Sequence, residues 1–170
     1  YGKVKSVLDV GCGMGRHAFL LSKKGFNCEG IDPHPKMIEY AKKNYSGVNY
    51  EVNSMQNINY KNQFDAVISI FSVVVFNKSN EEATKTFTNF HKALRKGGIL
   101  IIETYNAISW LANDSFRKHF VDIDKKHGTK SIVNEKINAN NQSYISKGVY
   151  FDLRTGKKLG EFSKESRMFF

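Results

Sequence analysis

The sequence is poor in cysteine and proline and has no long apolar run. Of its 170 residues, two are Cys and two are Pro. Cys12 and Cys28 cannot build the disulfide framework of a small secreted domain, so they predict reduced thiols and a cytoplasmic setting. No stretch approaches the roughly 18 apolar residues that a membrane helix needs. We therefore expect no membrane partner.

Positive charge is in excess, but it is not concentrated. Lys and Arg number 26 against 16 Asp and Glu, which gives a formal net charge of +10. The basic residues form no run longer than a pair and no aromatic-spaced stripe, which argues against nucleic acid as a partner. The hydrophobic fraction of 41% excludes a disordered chain. This length and composition fit one domain with a core of its own.

Residues 5–104 alternate short apolar runs with helical segments, a pattern typical of a parallel α/β sheet. The apolar run at 73–76 is interpreted as loop packing, and Leu20 is expected on the buried side of the first helix. Ser79 and Glu82 have the spacing of a helix capping box. The predicted strands are 7–10, 27–31, 48–52, 66–70 and 99–103. The predicted helices are 14–24, a second helix that Pro33 and Pro35 open and that ends near residue 44, and 80–94.

A glycine-rich turn, residues 11–15, joins the first strand to the first helix, and Asp32 ends the second strand. Glycines let a ligand approach the backbone, and the helix N-terminus offers unpaired N–H groups. A carboxylate at the end of the second strand is well placed to accept from ribose hydroxyls. A dinucleotide fingerprint starting at Gly11 would need glycine where Arg16 stands, and no P-loop Lys follows. The turn therefore predicts a nucleoside site without a pyrophosphate.

Four motifs in order resemble those of the class I S-adenosylmethionine-dependent methyltransferases. They are VLDVGCGMGRH at 7–17, GIDPHPKMI at 30–38, FDAV at 64–67 and LRKGG at 94–98. Residues 54–58 are also similar to the Asp-Met-Arg-Asp-Phe stretch of small sugar N-methyltransferases. The resemblance implies a Rossmann-like, doubly wound parallel sheet in the order 3-2-1-4-5. It implies methyl transfer from S-adenosylmethionine to a nitrogen or oxygen atom of a small-molecule acceptor, by in-line displacement.

The resemblance also implies which residues bind the cofactor. Asp9 would orient the ammonium group of S-adenosylmethionine, and Asp32 would hold its ribose hydroxyls. Pro33 would lie against the adenine, and Met55 would offer its backbone N–H to a ring nitrogen. The full set of expected cofactor-binding residues is Asp9, Gly11, Cys12, Gly13, Gly15, His17, Asp32, Pro33, Met37, Asn53, Ser54, Met55, Ser69 and Phe71.

Some of these assignments leave alternatives open. Ser54 stands where many relatives carry an Asp that accepts from the adenine amino group, and Asn53 is the neighbouring candidate. Either departure costs a charge-assisted hydrogen bond, so a non-catalytic nucleoside-binding module is one alternative function. An NAD(P)-type Rossmann enzyme is another. Asp9 could instead organise the loop, and His17 could be structural.

The residues expected to face the methyl acceptor show fewer recognisable motifs than the cofactor side. The end of the fourth strand, residues 69–72, lacks the Asn/Asp-Pro-Pro-aromatic motif of methyltransferases that act on nucleobase or glutamine amino groups. Tyr105 and Asn106 follow the fifth strand, and they are the expected catalytic residues. No His, Cys or acidic residues have metal-ligand spacing, so no metal site is expected.

The pattern changes after residue 104. A short helical turn is predicted at 107–111 and antiparallel strands at 131–137, 143–152 and 158–170, with a hairpin turn at 152–157. We expect an S-adenosylmethionine-binding core at 1–106 and a β-rich insertion at 107–170, which forms a substrate lid or a homodimer surface. Relatives have an N-terminal helix and two further strands, so we expect a fragment that lacks these terminal elements.

Overall fold

The structure, a computed structural model, describes residues 4–106, 108–109, 118–138 and 140–168. Its chain divides into one unit at Tyr1–Thr104 and a second at Tyr105–Phe170. Each unit contains one β-sheet.

The first unit has a parallel sheet in the order β3-β2-β1-β4-β5. This order confirms the predicted topology. Connections through helices are what parallel neighbours require, because a short turn cannot return the chain to the same end of the sheet. The elements are β1 (Ser6–Val10), α1 (Arg16–Lys23), β2 (Asn27–Asp32), α2 (Pro35–Asn44), β3 (Asn49–Val52), β4 (Phe64–Ser69), a 3₁₀ helix (Val73–Phe76), α3 (Asn80–Ala93) and β5 (Leu94–Ile102).

The core lies around the two central strands. All of β1 is buried, and Leu8 of β1 and Val67 of β4 are fully buried. Each helix adds an apolar face, such as Ala18 on α1 and Ile38 on α2. Burial of a large aliphatic side chain stabilises the fold by about 1.5–3 kcal/mol. The central strands thus fix the carboxyl ends of β1, β2 and β4 rigidly at one edge of the sheet.

Local sequence determines where the helices begin. Gly15 has a φ of 84°, so α1 begins at Arg16 and not at residue 14 as predicted. The predicted capping box at α3 is present. Ser79 Oγ accepts from the backbone N–H of Glu82 at 3.2 Å, while the Glu82 carboxylate accepts from the backbone N–H of Lys78 at 2.7 Å.

Three further sequence predictions in this unit are wrong in detail. Leu20 is exposed, because it lies two residues from Ala18 and therefore on the opposite side of α1. Strand β4 ends at Ser69, since Phe71 and Ser72 both have positive φ values, 57° and 59°. Strand β5 begins at residue 94 and not at 99, because a register shift in its pairing with β4 extends the ladder backwards.

The second unit has an antiparallel sheet in the order β6-β7-β8-β9. The sequence did not predict strand β6. Most of its side chains are exposed, and its polar residues hide the alternation of apolar and polar side chains that marks a half-buried strand. The hairpin turn after β8 is as predicted: Asp152 Oδ1 accepts from the backbone N–H of Thr155 at 2.8 Å, and Gly156 has a φ of 69°. The strands are β6 (His119–Asp124), β7 (Thr129–Asn138), β8 (Ser143–Asp152) and β9 (Lys158–Arg167).

Parts of the predicted second unit lie outside the described residues. Of the helical turn predicted at 107–111, only 108–109 are described, and both are helical. Residues 169–170 of the predicted last strand are outside as well. Within the described ranges, no helix has both the length and the apolar character to cross a membrane.

Candidate functional site

The glycine loop between β1 and α1 is held by backbone hydrogen bonds. The N–H groups of Gly11 and Cys12 both donate to the Ile31 carbonyl, at 2.8 and 2.9 Å. The N–H of Gly15 donates to the Cys12 carbonyl at 2.9 Å, and the buried hydroxyl of Tyr50 donates to the Gly15 carbonyl at 2.9 Å. The loop is therefore fixed against β2 and β3 before any ligand binds.

Three glycines of this loop serve different purposes. A Cβ on Gly11 would lie 2.4 Å from Val73 Cγ2, and one on Gly15 would lie 2.7 Å from the Tyr50 ring. A Cβ on Gly13 would meet nothing within 4 Å. All three have positive φ, which favours glycine. Gly11 and Gly15 thus permit close packing of the protein, whereas Gly13 leaves open space.

The carboxylate of Asp32, at the end of β2, is oriented by two backbone donors. The N–H of Gly13 donates to Oδ2 at 3.0 Å, and the N–H of His34 donates to Oδ1 at 2.9 Å. The His34 ring nitrogen Nδ1 also lies 3.1 Å from Oδ1. A carboxylate has about four lone-pair sites, so acceptor capacity remains for a ligand's hydroxyl groups.

A cavity of about 590 Å³ opens beside this carboxylate. It has two walls, which we name by their residues: the β3-side wall, 53–56, and the 3₁₀-side wall, 73–78. The volume suits a ligand of nucleoside size, because small-molecule sites usually measure about 300–1,000 Å³. The lining residues are Val10, Gly11, Asp32, Pro33, His34, Asn53, Ser54, Met55, Gln56, Val73, Phe76, Lys78 and Glu82.

The cavity brings together Gly11, Asp32, Pro33, Asn53, Ser54 and Met55 of the expected cofactor-binding set. The sequence did not indicate the 3₁₀-side wall. Its apolar run had been interpreted as loop packing, and the buried side chains of Val74 and Val75 agree with that interpretation. Val73 and Phe76, by contrast, line the cavity. The one available signal was the position of this run, directly after a strand end.

A strained turn precedes the 3₁₀-side wall. Phe71 and Ser72 both occupy the left-handed region, which is costly for residues with a Cβ. Glu103 holds the turn, since its carboxylate accepts from the N–H of Phe71 at 2.8 Å and its carbonyl accepts from the N–H of Ser72 at 3.1 Å. The ring of Phe71 is 71% exposed and lies 5.4 Å from the His17 ring. Two expected cofactor residues, His17 and Phe71, are thus neighbours, although neither lines the cavity.

Two buried polar side-chain atoms near the carboxyl ends of β1 and β4 lack a hydrogen-bond partner among the described residues. They are Oδ2 of Asp9, on β1, and Oγ of Ser69, on β4. Both side chains are almost fully buried, at 2% and 0% exposure. A buried carboxylate oxygen without a partner is costly, and it favours a cationic ligand group. Asp9, Ser69 and Gly13 are not among the lining residues of the cavity. The unpartnered oxygen of Asp9 and the oriented carboxylate of Asp32 nevertheless suit a nucleoside ligand that carries positive charge.

The environment of Asp9 predicts a pH-dependent stability. Burial raises the pKa of Asp9 from its usual 3.8 to about 7; a backbone hydrogen bond with Ala18 opposes the rise, and the charge of Asp32 adds to it. The native carboxyl therefore holds a proton at pH values where the unfolded chain has lost it. The contribution of Asp9 to the free energy of unfolding then falls as the pH rises from about 4 to about 7.

We expect Asp9→Asn to remove this pH-dependent loss of stability. Urea unfolding at about pH 5 and about pH 8 measures the free energy of unfolding on either side of it. Glu39→Gln, on the exposed face of α2, is the matched control and should keep the wild-type pH dependence. An Asp9→Asn protein that loses stability over this interval as steeply as the wild type would contradict the assignment.

Cys12 and Met37 of the expected cofactor-binding set are not among the lining residues of the cavity. Cys12 is buried in the core, where burial raises the pKa of its thiol and disfavours the thiolate that a nucleophile needs. Met37 is exposed on α2. Tyr105 and Asn106 belong to the second unit, where Asn106 Oδ1 accepts from the N–H of Ser109 at 3.1 Å. Their assignment as catalytic residues stays a prediction.

Neither a metal centre nor a disulfide is found in the part of the chain that the structure describes. His, Cys, Asp and Glu residues form no group of three that could hold a metal ion there. Cys12 and Cys28 are both free and buried.

The curated relatives of the chain include an N,N-dimethyltransferase and an O-methyltransferase. The chain is 27% identical over 122 residues to the dTDP-3-amino-3,4,6-trideoxy-alpha-D-glucopyranose N,N-dimethyltransferase of Streptomyces venezuelae, covering 72% of this chain and 49% of that enzyme. It is 34% identical over 104 residues to the ubiquinone biosynthesis O-methyltransferase of Rickettsia akari, covering 59% of this chain and 40% of that enzyme. The chain thus spans about half the length, or less, of these curated relatives.

Solved structures agree on the fold. The amino pentose methyltransferase CalS10 from Micromonospora echinaspora, solved with S-adenosylmethionine bound, matches with a TM-score of 0.73 and 22% identity, over 98% of this chain and 70% of that chain. A family model described as a methyltransferase domain matches residues 2–165. With nearly its whole length matched and a Rossmann-like sheet in the order 3-2-1-4-5, the chain belongs to this methyltransferase domain family.

Proposed function

We propose that the first unit binds S-adenosylmethionine in the cavity beside Asp32, and that the protein transfers the methyl group to a nitrogen or oxygen atom of a small-molecule acceptor. The observation that carries the proposal is the Asp32 carboxylate, which is oriented by the N–H groups of Gly13 and His34 and lines a cavity of nucleoside size. Membership of the methyltransferase domain family supports the choice of ligand.

Each part of the ligand has a matching group in the chain. Asp32 would accept hydrogen bonds from the ribose hydroxyls, and Asp9 would face the positive charge with its unpartnered oxygen. The side chain of Met55 is buried, so its backbone is the part that could meet the purine. Asn53 Oδ1 already accepts from the N–H of Ser54, which orients the amide next to the position where the resemblance places the relatives' Asp.

The chemistry of transfer requires little more than positioning. The sulfonium group of S-adenosylmethionine supplies an activated methyl group. The glycine loop and the two cavity walls fix the nucleoside and exclude water, so that an acceptor atom can meet the methyl group in line. An amine acceptor that is neutral needs no general base, whereas a hydroxyl acceptor needs one.

The names of the relatives support a chemical class of methyl acceptor and not one compound. The names of the relatives include an amino-sugar N,N-dimethyltransferase and a ubiquinone biosynthesis O-methyltransferase, which supports a small molecule with an amino or hydroxyl group. Tyr105 and Asn106 are the proposed acceptor-side residues. The β-rich second unit is the proposed substrate lid or homodimer surface. The two free buried thiols support a cytoplasmic setting.

A methyl-transfer assay tests the proposal. S-adenosylmethionine with a tritiated methyl group is incubated with the protein and with two acceptor panels, one of amino sugars and one of phenols. We expect label in one panel and its loss in Asp32→Asn. Binding of S-adenosylmethionine without label in any acceptor would instead favour a non-catalytic nucleoside-binding module.

A further inference from the structure

Two asparagines that do not line the cavity bond to the residues of its walls. Asn77 follows the 3₁₀ helix and is 1% exposed, and Asn89 is half-buried on α3. Neither belongs to the motifs that resemble the family. Both side chains bond to residues of the β3-side wall, so they can influence the shape of the cavity without touching a ligand.

The side chain of Asn77 uses both of its polar atoms. Its Oδ1 accepts from Gln56 Nε2 and from Thr86 Oγ1, each at 2.8 Å. Its Nδ2 donates to the Val74 carbonyl at 2.9 Å and lies 3.8 Å from Met55 Sδ. One buried amide within the 3₁₀-side wall therefore bonds to Val74 of its own wall, to the β3-side wall and to α3.

Asn89 adds a second attachment to the β3-side wall. Its Nδ2 donates to the carbonyls of Met55 and Gln56, at 3.1 and 2.9 Å. A primary amide has two N–H donors, and here both meet consecutive carbonyls of one loop. The loop at 53–56 has no regular secondary structure, so these side-chain bonds fix its distance from α3.

We infer that Asn77, with Asn89 in support, is a positioning residue that sets the separation of the two cavity walls and thereby the selectivity for the purine ring. The inference rests on the proposed function, because it places the purine against the β3-side wall. Asn77 does not touch the ligand. It acts through Met55 and Gln56 on one wall and through the 3₁₀ helix on the other.

The chemistry requires an amide at position 77. Aspartate has the same shape, but it would replace the Nδ2 donor with an acceptor oxygen that faces the Val74 carbonyl. A buried acceptor that faces another acceptor loses its hydrogen bond and leaves both groups unsatisfied. Asn77→Asp keeps the oxygen that accepts from Gln56 and Thr86. It loses the bond to the Val74 carbonyl and the donor that faces Met55 Sδ, so it should displace the 3₁₀ helix and Met55 relative to each other while it preserves the volume of the core.

The test measures binding of S-adenosylhomocysteine and S-inosylhomocysteine, which differ only at the purine edge, by calorimetric titration. We expect the wild type to prefer the adenosyl ligand, and Asn77→Asp to lose about tenfold in its affinity together with most of the preference. Asn89→Ala, at a half-buried position, should shift affinity in the same direction with less effect on folding.

The matched control is Val67→Ala, at a fully buried position in the centre of β4. It should lower the free energy of unfolding and keep the purine preference. Folded Asn77→Asp and Asn89→Ala proteins with wild-type affinity and preference would overturn the inference, and so would an equal loss of preference in Val67→Ala.

Amide hydrogen exchange on the ligand-free protein separates this inference from the proposed function. We expect Asn77→Asp to accelerate exchange in residues 54–56 and 74–77 together, with β1 unchanged. If the wild type binds neither nucleoside, the proposed function fails, whereas joint acceleration still supports the link between the walls. Unchanged exchange in either wall would overturn that link.

Discussion

Asp32→Asn is expected to weaken the binding of S-adenosylhomocysteine by about 100-fold and to leave the protein folded. Hydrogen bonds to a charged acceptor contribute about 1.5–3 kcal/mol each, and a ribose diol makes two of them. The substitution removes the charge and one acceptor oxygen. It keeps the shape of the side chain, and the remaining oxygen still accepts from one of the two backbone N–H groups, of Gly13 or His34, that orient the carboxylate.

Calorimetric titration measures this effect, and thermal unfolding shows whether the variant is folded. Glu39→Gln is the control, because it removes an equal charge from the exposed face of α2. An Asp32→Asn protein that binds S-adenosylhomocysteine within a factor of about three of the wild type would exclude the carboxylate as the ribose ligand.

Gly11→Ala should mainly reduce the stability of the fold, whereas Gly13→Ala should mainly reduce cofactor binding. Gly11→Ala places a methyl group 2.4 Å from Val73 Cγ2 at a φ of 77°, so overpacking adds to backbone strain and the fold loses several kcal/mol. Gly13→Ala, at a φ of 54° and with nothing within 4 Å, costs the fold only about 1–2 kcal/mol. We nevertheless expect Gly13→Ala to reduce cofactor affinity more than tenfold, because its methyl group enters the space that we assign to the ligand.

Urea unfolding and calorimetric titration of both variants test this pair. The expected pattern is a loss of stability in Gly11→Ala and a loss of binding in a well-folded Gly13→Ala. Wild-type affinity in Gly13→Ala would show that the open space beside Gly13 is not part of the ligand site.

The regular part of the fold was predictable because local patterns and packing agree there. Strand β1 is a short apolar run that is buried throughout, and its glycine turn and Asp32 follow in the order that a parallel sheet requires. The expected position of Asp32 at the cavity depends only on strand ends meeting at one edge of a sheet. Pro33 and Met55 were expected from the resemblance to the family and not from strand geometry; they line the cavity together with Gly11, and their roles stay predictions.

Features that depend on long-range contacts were not predictable. The left-handed pair Phe71 and Ser72 has no glycine to mark it, and Glu103, some thirty residues later, holds it. Strand β5 begins early because its pairing with β4 shifts register, which no local propensity encodes. The bonds from Asn77 to Gln56 and Thr86 join separate segments of the chain, so only the folded structure shows them.

The most direct test of the central claim is a calorimetric titration of the wild-type chain with S-adenosylhomocysteine, alongside NAD⁺ and NADP⁺. The cavity beside Asp32 predicts binding of S-adenosylhomocysteine at one site per chain with a micromolar dissociation constant, and no measurable binding of either dinucleotide. Dinucleotide binding that is tighter than that of S-adenosylhomocysteine would contradict the account.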